Sequence, residues 1–398
     1  MKEAVFLQEV KEIQLLKNAL TLLDWDSSTG MPEKSSPFRG EVEGYLTGLY
    51  FERSIGPVIQ EALAYFETRP EELSELGKLV FEKVKEEYAL NKNVPAERMQ
   101  EYVKVLNQAH TDWLKARAAQ DFGLLEETLT KVVAFQKEFI PYWQKEEKTP
   151  YDVLLNQFEP EMTVEKLDQV FDQVKQGIQE IRTVLAEKGT PPRTDFLSRK
   201  MTKEQQRRFV IGVVEQLGYD FSKGRLDDTV HPFMTALNRN DARITTSWEE
   251  NNFSMATFGV IHEAGHGMYE QNFDPKFDFT PLSEGASMGI HESQSLFNEI
   301  IIGSNRAFWQ KQYPFFQECA EGTFDDIAFE DFYASLKETK ASLIRIDSDS
   351  LTYPLHIIIR YEIEKMLFNG SLEVADLPKV WNEKYQEYLG VSPENDLE

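Results

Sequence analysis

Two histidines four residues apart, with a glutamate directly after the first, carry the clearest chemistry in the chain: His262-Glu263-Ala264-Gly265-His266. On an α-helix, positions i and i+4 share a face, so both imidazoles can reach one ion. Glu263 is one position further on, turned about 100° by the 3.6-residue period. Its carboxylate then stands beside the ion rather than on it, where it can take a proton from an attacking water. Such a hydrolytic centre needs three protein ligands and an open position, so a third group must come from elsewhere. The segment from Ser283 to Ile301 offers Glu284, His291, Glu292 and Glu299. A glutamate on a neighbouring helix would complete a His/His/Glu set, with Glu292 favoured, but helical periodicity does not choose among the four.

Other residues have both a structural and a chemical reading. Arg345, in Leu343-Ile344-Arg345-Ile346-Asp347, is a cation between large apolar residues. A half-buried guanidinium needs an anionic partner, either Asp347 or Asp349 or a substrate carboxylate. His231 precedes Pro232 and so avoids a helix interior; it reads as a loop hydrogen-bonder or a substrate contact. Arg243 stands in a strand-like run just upstream of the histidine motif. His356 and Arg360 are four apart in an apolar stretch that suggests a buried helix. His110, near Leu106 and Trp113, reads as a packing histidine. Cys319 has no histidine near it in sequence, and no glycine-rich phosphate loop stands out.

The elements that must position these groups are mostly helices. Ser254 to Ile261 suits a partly buried helix that carries the histidine pair inward. Leu73, Leu76, Val80, Val84 and Tyr88 form one apolar stripe, and Tyr102, Leu106, Ala109 and Trp113 another, with Pro95 marking the start of the second. Breaks fall at Thr149-Pro150, at Gly189-Thr190-Pro191-Pro192 and around Lys223-Gly224. They read as turns within one helical body spanning 1–398, without internal repeats. The strongest strand signal is Ala242 to Trp248, β-branched and alternating, which predicts an edge strand lining a cleft.

Bulk properties exclude several classes. The chain has 398 residues and a formal net charge of −25, which repels phosphate backbones and anionic lipid heads and disfavours nucleic-acid or membrane-surface partners. One cysteine forbids an intrachain disulfide and fits a reducing compartment. Met1 to Leu23 shows helical spacing among charges rather than a signal peptide. No stretch is long and apolar enough to cross a bilayer. The expectation is a cytoplasmic protein.

Taken in order along the chain, these residues resemble the thermostable carboxypeptidase family, the carboxypeptidase Taq type of metallocarboxypeptidase. The resemblance runs through Trp25-Asp26 with Met31-Pro32, His231-Pro232-Phe233, Asp241-Ala242-Arg243-Ile244-Thr245-Thr246, the histidine motif, His291-Glu292-Ser293-Gln294, and Ile344-Arg345 with Tyr353 and His356. It implies that His262, His266 and Glu292 ligate one divalent metal ion, zinc by usual assumption with cobalt also used, and that Glu263 is the general base. It also implies a mainly α, elongated fold with a small β-sheet beside a deep, narrow groove, release of C-terminal residues from peptides, and a homodimer. Arg345 is the candidate for the peptide's terminal carboxylate, with Arg243 and His231 behind it. The rivals are an oligopeptidase or aminopeptidase with the same triad, and a catalytically impaired metal-binding remnant. Two departures stand out. Ser348-Asp349 replaces an Ala-Asp pair, and the sequence ends at Glu398, where the family continues with a segment rich in His, Trp, Tyr and Gly. The latter gives the expectation of a chain truncated relative to the family, able to bind metal but impaired in turnover.

Overall fold

A computed structural model of the chain describes residues 1–229, 231–345 and 348–395. In chain order the helices are α1 (Glu3–Thr29), α2 (Ser36–Ser54), α3 (Pro57–Phe66) and α4 (Glu75–Asn91), then α5 (Ala96–Ala119), α6 (Gly123–Trp143), α7 (Pro150–Phe158) and α8 (Val164–Lys188). There follow α9 (Lys203–Leu217), α10 (Phe253–Gln271), α11 (Met288–Leu296), α12 (Arg306–Cys319), α13 (Phe329–Ser335), α14 (Tyr353–Phe368) and α15 (Leu377–Leu389). The fold is mostly helical, with one small sheet. No helix among the described residues is long and apolar enough to cross a membrane.

The described residues group into two compact units, Met1–Asn91 with Arg193–Leu336, and Lys92–Pro192 with Lys337–Glu398. The reading of 1–398 as one helical domain is a proposal beside that grouping. The first unit has two cores. One gathers Phe6, Val10, Ile59, Phe66, Val80 and Phe81; it includes most of the Leu73–Tyr88 stripe, as the periodicity predicts. The other is built around α10, whose buried Phe253, Val260, Ile261 and Ala264 meet Phe209 and Val213 of α9 and Trp309 and Phe316 of α12. Each such fully buried large side chain contributes about 1.5–3 kcal/mol, so α10 is held rigidly at its inner face. The second unit packs Leu355, Ile358, Ile359 and Ile363 of α14 against Tyr385 and Leu389 of α15.

Local signals set the helix boundaries. Thr149 caps α7 in a reciprocal box with Asp152, and Thr202 caps α9 in the same way with Gln205. The stripe on α5 behaves differently from expectation. Leu106 and Trp113 are each 39% exposed, and His110 is exposed with its ring 5.8 Å from that of Trp113. The helical period is correct there, and Tyr102 packs edge-on against buried Phe139 of α6 with centroids 5.4 Å apart, but Leu106 and Trp113 face solvent.

The sheet has the order β1-β3-β2, with β1 (Leu226–Asp228), β2 (Met234–Asn238) and β3 (Asp241–Thr246). β3 pairs in parallel with β1 (Leu226 opposite Ile244) and antiparallel with β2 (Met234 opposite Ile244). The strand expected at the edge is therefore the central one. The physical reason lies in its burial: Ala242, Ile244, Thr245 and Thr246 are all fully buried. A backbone so enclosed needs ladder partners on both sides. β1 and β2 are short and gave no strong strand signal of their own.

Candidate metal centre

α10 carries His262 and His266 on one face, and the ring centroids lie 5.1 Å apart. The chain returns after α10 and enters α11 with the Ser287 hydroxyl accepting from the Ile290 amide as N-cap. α11 runs against α10 and continues into a π-helical turn, Phe297–Ile302, a feature frequent at functional sites. Close approach of the two helices depends on Gly265. A Cβ there would stand 2.7 Å from both the Gln294 carbonyl oxygen and the Ser295 Cα. The residue directly before the motif's second histidine is thus small because a backbone lies against it.

That approach brings Glu292 over the histidine face. Its Oε2 lies 3.3 Å from His266 Nε2 and 3.7 Å from His262 Nε2. One nitrogen from each histidine and one oxygen of Glu292 all fall within 4.8 Å of one another. The other three candidates for third ligand face elsewhere. Glu284 pairs with Lys17 at 2.5 Å. Glu299 meets the far nitrogen of His262, Nδ1, at 2.7 Å. His291 Nδ1 meets the far nitrogen of His266, Nδ1, at 2.5 Å, and its own Nε2 is 2.9 Å from Glu270 Oε1. Both histidines of the motif therefore have Nδ1 engaged from behind, which leaves Nε2 of each facing the Glu292 carboxylate.

The surroundings set the two glutamates of this group far apart in acidity. Burial works against ionisation of Glu292, but the His266 hydrogen bond and the charges of His262 and His266 outweigh it and bring the carboxyl down to about 2. Ser295 Oγ also donates to Glu292 Oε2, at 3.2 Å. Glu263 is 8% exposed. Burial, reinforced by the Glu292 and Glu299 charges and opposed by His262, pushes it up to about 7. Two imidazole nitrogens and a carboxylate oxygen, converging and backed by further carboxylates, match the donor set of a three-ligand divalent site. A buried carboxylate beside them with a raised pKa is fitted to exchange protons near neutrality.

The remaining sequence candidates are distributed as follows. Arg243, half-buried on β3, donates to both oxygens of Asp241 at 2.8 Å and lies 4.4 Å above the ring of Trp25. Its charge is thus already matched by a carboxylate. His231 is exposed. Arg345 lies in the second compact unit and donates to the Tyr353 hydroxyl at 3.1 Å. Asp349 instead accepts from the Leu351 and Thr352 amides and the Thr352 hydroxyl, while Asp347 lies outside the described residues. His356 is fully buried with Nδ1 3.0 Å from the Tyr385 hydroxyl, and Arg360 is exposed, 3.5 Å from Glu364. Sequence reasoning overlooked Glu270. Its signal was present: it follows His266 by four positions, on the same helical stripe as both histidines.

Residues 5–398 match the family described as carboxypeptidase Taq (M32) metallopeptidase. The chain is similar to carboxypeptidase 1 of Bacillus subtilis (strain 168), at 44% identity over 396 residues, covering 100% of this chain and 79% of that relative. It is also similar to thermostable carboxypeptidase 1 of Thermus thermophilus, at 33% identity, covering 97% and 77%. Among solved structures, an M32 carboxypeptidase from Deinococcus radiodurans R1 superposes with a TM-score of 0.94 at 33% identity, covering 98% of this chain and 78% of that one.

Proposed function

This chain belongs to the M32 carboxypeptidase Taq family and is a metallocarboxypeptidase, and from that premise we propose that His262, His266 and Glu292 hold its divalent ion while Glu263 is the general base. The observation that carries the assignment is the convergence of the three ligand atoms within 4.8 Å, beside a carboxyl pushed up to about 7. When bound, the ion supplies Lewis-acid polarisation of the scissile carbonyl and lowers the pKa of water. Zinc fits the nitrogen-rich donor set, and cobalt is the alternative.

The protein's own groups do the rest. Glu263 takes a proton from the attacking water and returns it to the leaving amine. Its shielded position keeps its pKa near the range in which it can do both. Arg345 is our candidate for gripping the terminal carboxylate of the peptide. Support comes from its partner among the described residues, the neutral hydroxyl of Tyr353. Arg243, already matched by Asp241, and exposed His231 are weaker candidates for the same task. A homodimer in the cytoplasm is part of the same proposal.

The discriminating experiment compares N-blocked peptides with free and amidated C-termini, using protein loaded with zinc or cobalt. A carboxypeptidase cleaves the first and spares the second. Cleavage of C-amidated peptides at equal rates would instead favour an oligopeptidase with the same triad.

A further inference from the structure

We propose that His291 and Glu270 act together as a positioning relay that fixes the tautomer and orientation of His266, with no ligand role of their own. The inference rests on the metal reading above and concerns how this chain prepares one of its ligands. It follows from counting protons along three contacts. For Nε2 of His266 to present a lone pair to a bound ion, the neutral ring must carry its proton on Nδ1. That Nδ1–H faces His291 Nδ1 at 2.5 Å, so His291 Nδ1 must be the acceptor. A neutral His291 then carries its proton on Nε2, which is 2.9 Å from Glu270 Oε1, and Glu270 accepts it. Each donor finds an acceptor and the sequence of tautomers has one solution.

The two motif histidines are thus anchored in different ways. His262 Nδ1 donates to Glu299 directly, whereas His266 reaches its carboxylate through a second imidazole. Glu270 is 6% exposed on the buried side of α10, and a carboxylate there is costly without a hydrogen-bonded partner. His291 is also clamped as a ring. Gly285 lies so close that a Cβ would stand 2.6 Å from His291 Cδ2, and the Tyr269 ring meets it edge-on with centroids 5.3 Å apart. A ring held by two close neighbours transmits orientation, which a solvent-exposed histidine would not.

Zinc affinity, measured by competition with a chromophoric chelator, tests the relay. His291→Leu removes the acceptor and should weaken zinc binding about 10–100-fold. His291→Asn keeps an acceptor oxygen near the position of Nδ1 and should stay close to wild type. If both variants bind as tightly as wild type, or if both are weakened equally, the relay is overturned in favour of simple packing. Should His291→Leu fail to fold by circular dichroism, Glu270→Ala reads the relay from its far end with the same expected direction; unchanged zinc affinity there overturns it. Long-range proton–nitrogen NMR of the zinc-loaded wild type reads the tautomers without any variant. A proton on His291 Nε2 is expected, and one on its Nδ1 contradicts the relay. Glu292→Ala separates this inference from its premise. Zinc binding unaffected by Glu292→Ala removes the ligand set itself, whereas zinc lost in Glu292→Ala but kept in His291→Leu removes only the relay.

Discussion

Gly265 and Ser295 are packed so closely that a methyl group on the first would lie 2.7 Å from the Cα of the second. This contact sets the distance at which the helix bearing Glu292 meets the helix bearing the two histidines. In an ordinary helix interior, Gly→Ala stabilises by up to about 1 kcal/mol. Here overpacking against backbone opposes that gain and costs about 1–3 kcal/mol. Gly265→Ala is therefore expected to lower the melting temperature and weaken zinc binding together. A melting temperature at or above wild type with unchanged zinc affinity would show that the two helices part without consequence.

Metal should be bound at one ion per chain and lost to chelator along with activity. Because the ligands come from two helices, binding also stabilises the folded state. An ion at a hundred times its dissociation constant contributes about 2.7 kcal/mol, visible as a higher melting temperature in zinc. Elemental analysis that finds no metal, with no uptake and no thermal shift on adding zinc or cobalt, contradicts this.

Glu263→Gln keeps the shape of the side chain and removes its ability to accept a proton. Activity is expected to fall by about 10²–10⁴-fold while the metal content stays at one ion. Loss of metal in step with activity would make Glu263 a ligand or a structural residue instead.

Arg345→Ala tests the carboxylate grip. Losing a charge-assisted hydrogen bond should cost about 1.5–3 kcal/mol in recognition of peptides with a free C-terminus, and little for C-amidated ones. An equal effect on both peptides, or unfolding, favours a structural role through Tyr353.

His356 gives the second unit an acid sensitivity of its own. Burial, reinforced by the charge of Arg345 and opposed by Asp349, pulls its pKa below the ordinary value of 6.5. The unfolded chain then binds the proton more readily than the folded one. Stability from the neutral, buried ring is fully present above about pH 6.5 and is lost as pH falls below it. Melting temperatures between pH 7 and pH 5 should fall less steeply in His356→Leu than in wild type, whatever the offset between the two curves. Parallel curves would show that His356 takes no part in the acid response.

Whatever depends on neighbours within a turn or two of helix was legible in the residues before any coordinates. The i, i+4 spacing of His262 and His266 places both rings on one face because the helical period demands it, and Glu263 follows to one side for the same reason. The breaks at Thr149-Pro150 and after Pro95 act locally, through capping and a missing amide, and they fall at real helix starts. The mostly helical class with a small sheet was legible too. Long-range packing settled which of four side chains between residues 284 and 299 faces the two Nε2 atoms. That choice depends on how closely α11 meets α10, which Gly265 permits, and no local period encodes it. The same limit explains the other departures. A strand's edge or central place depends on what pairs with it from distant sequence, so β3 was misjudged. An apolar stripe at helical spacing states that a helix has a greasy face without stating whether anything covers it, and on α5 Leu106 and Trp113 remain in solvent.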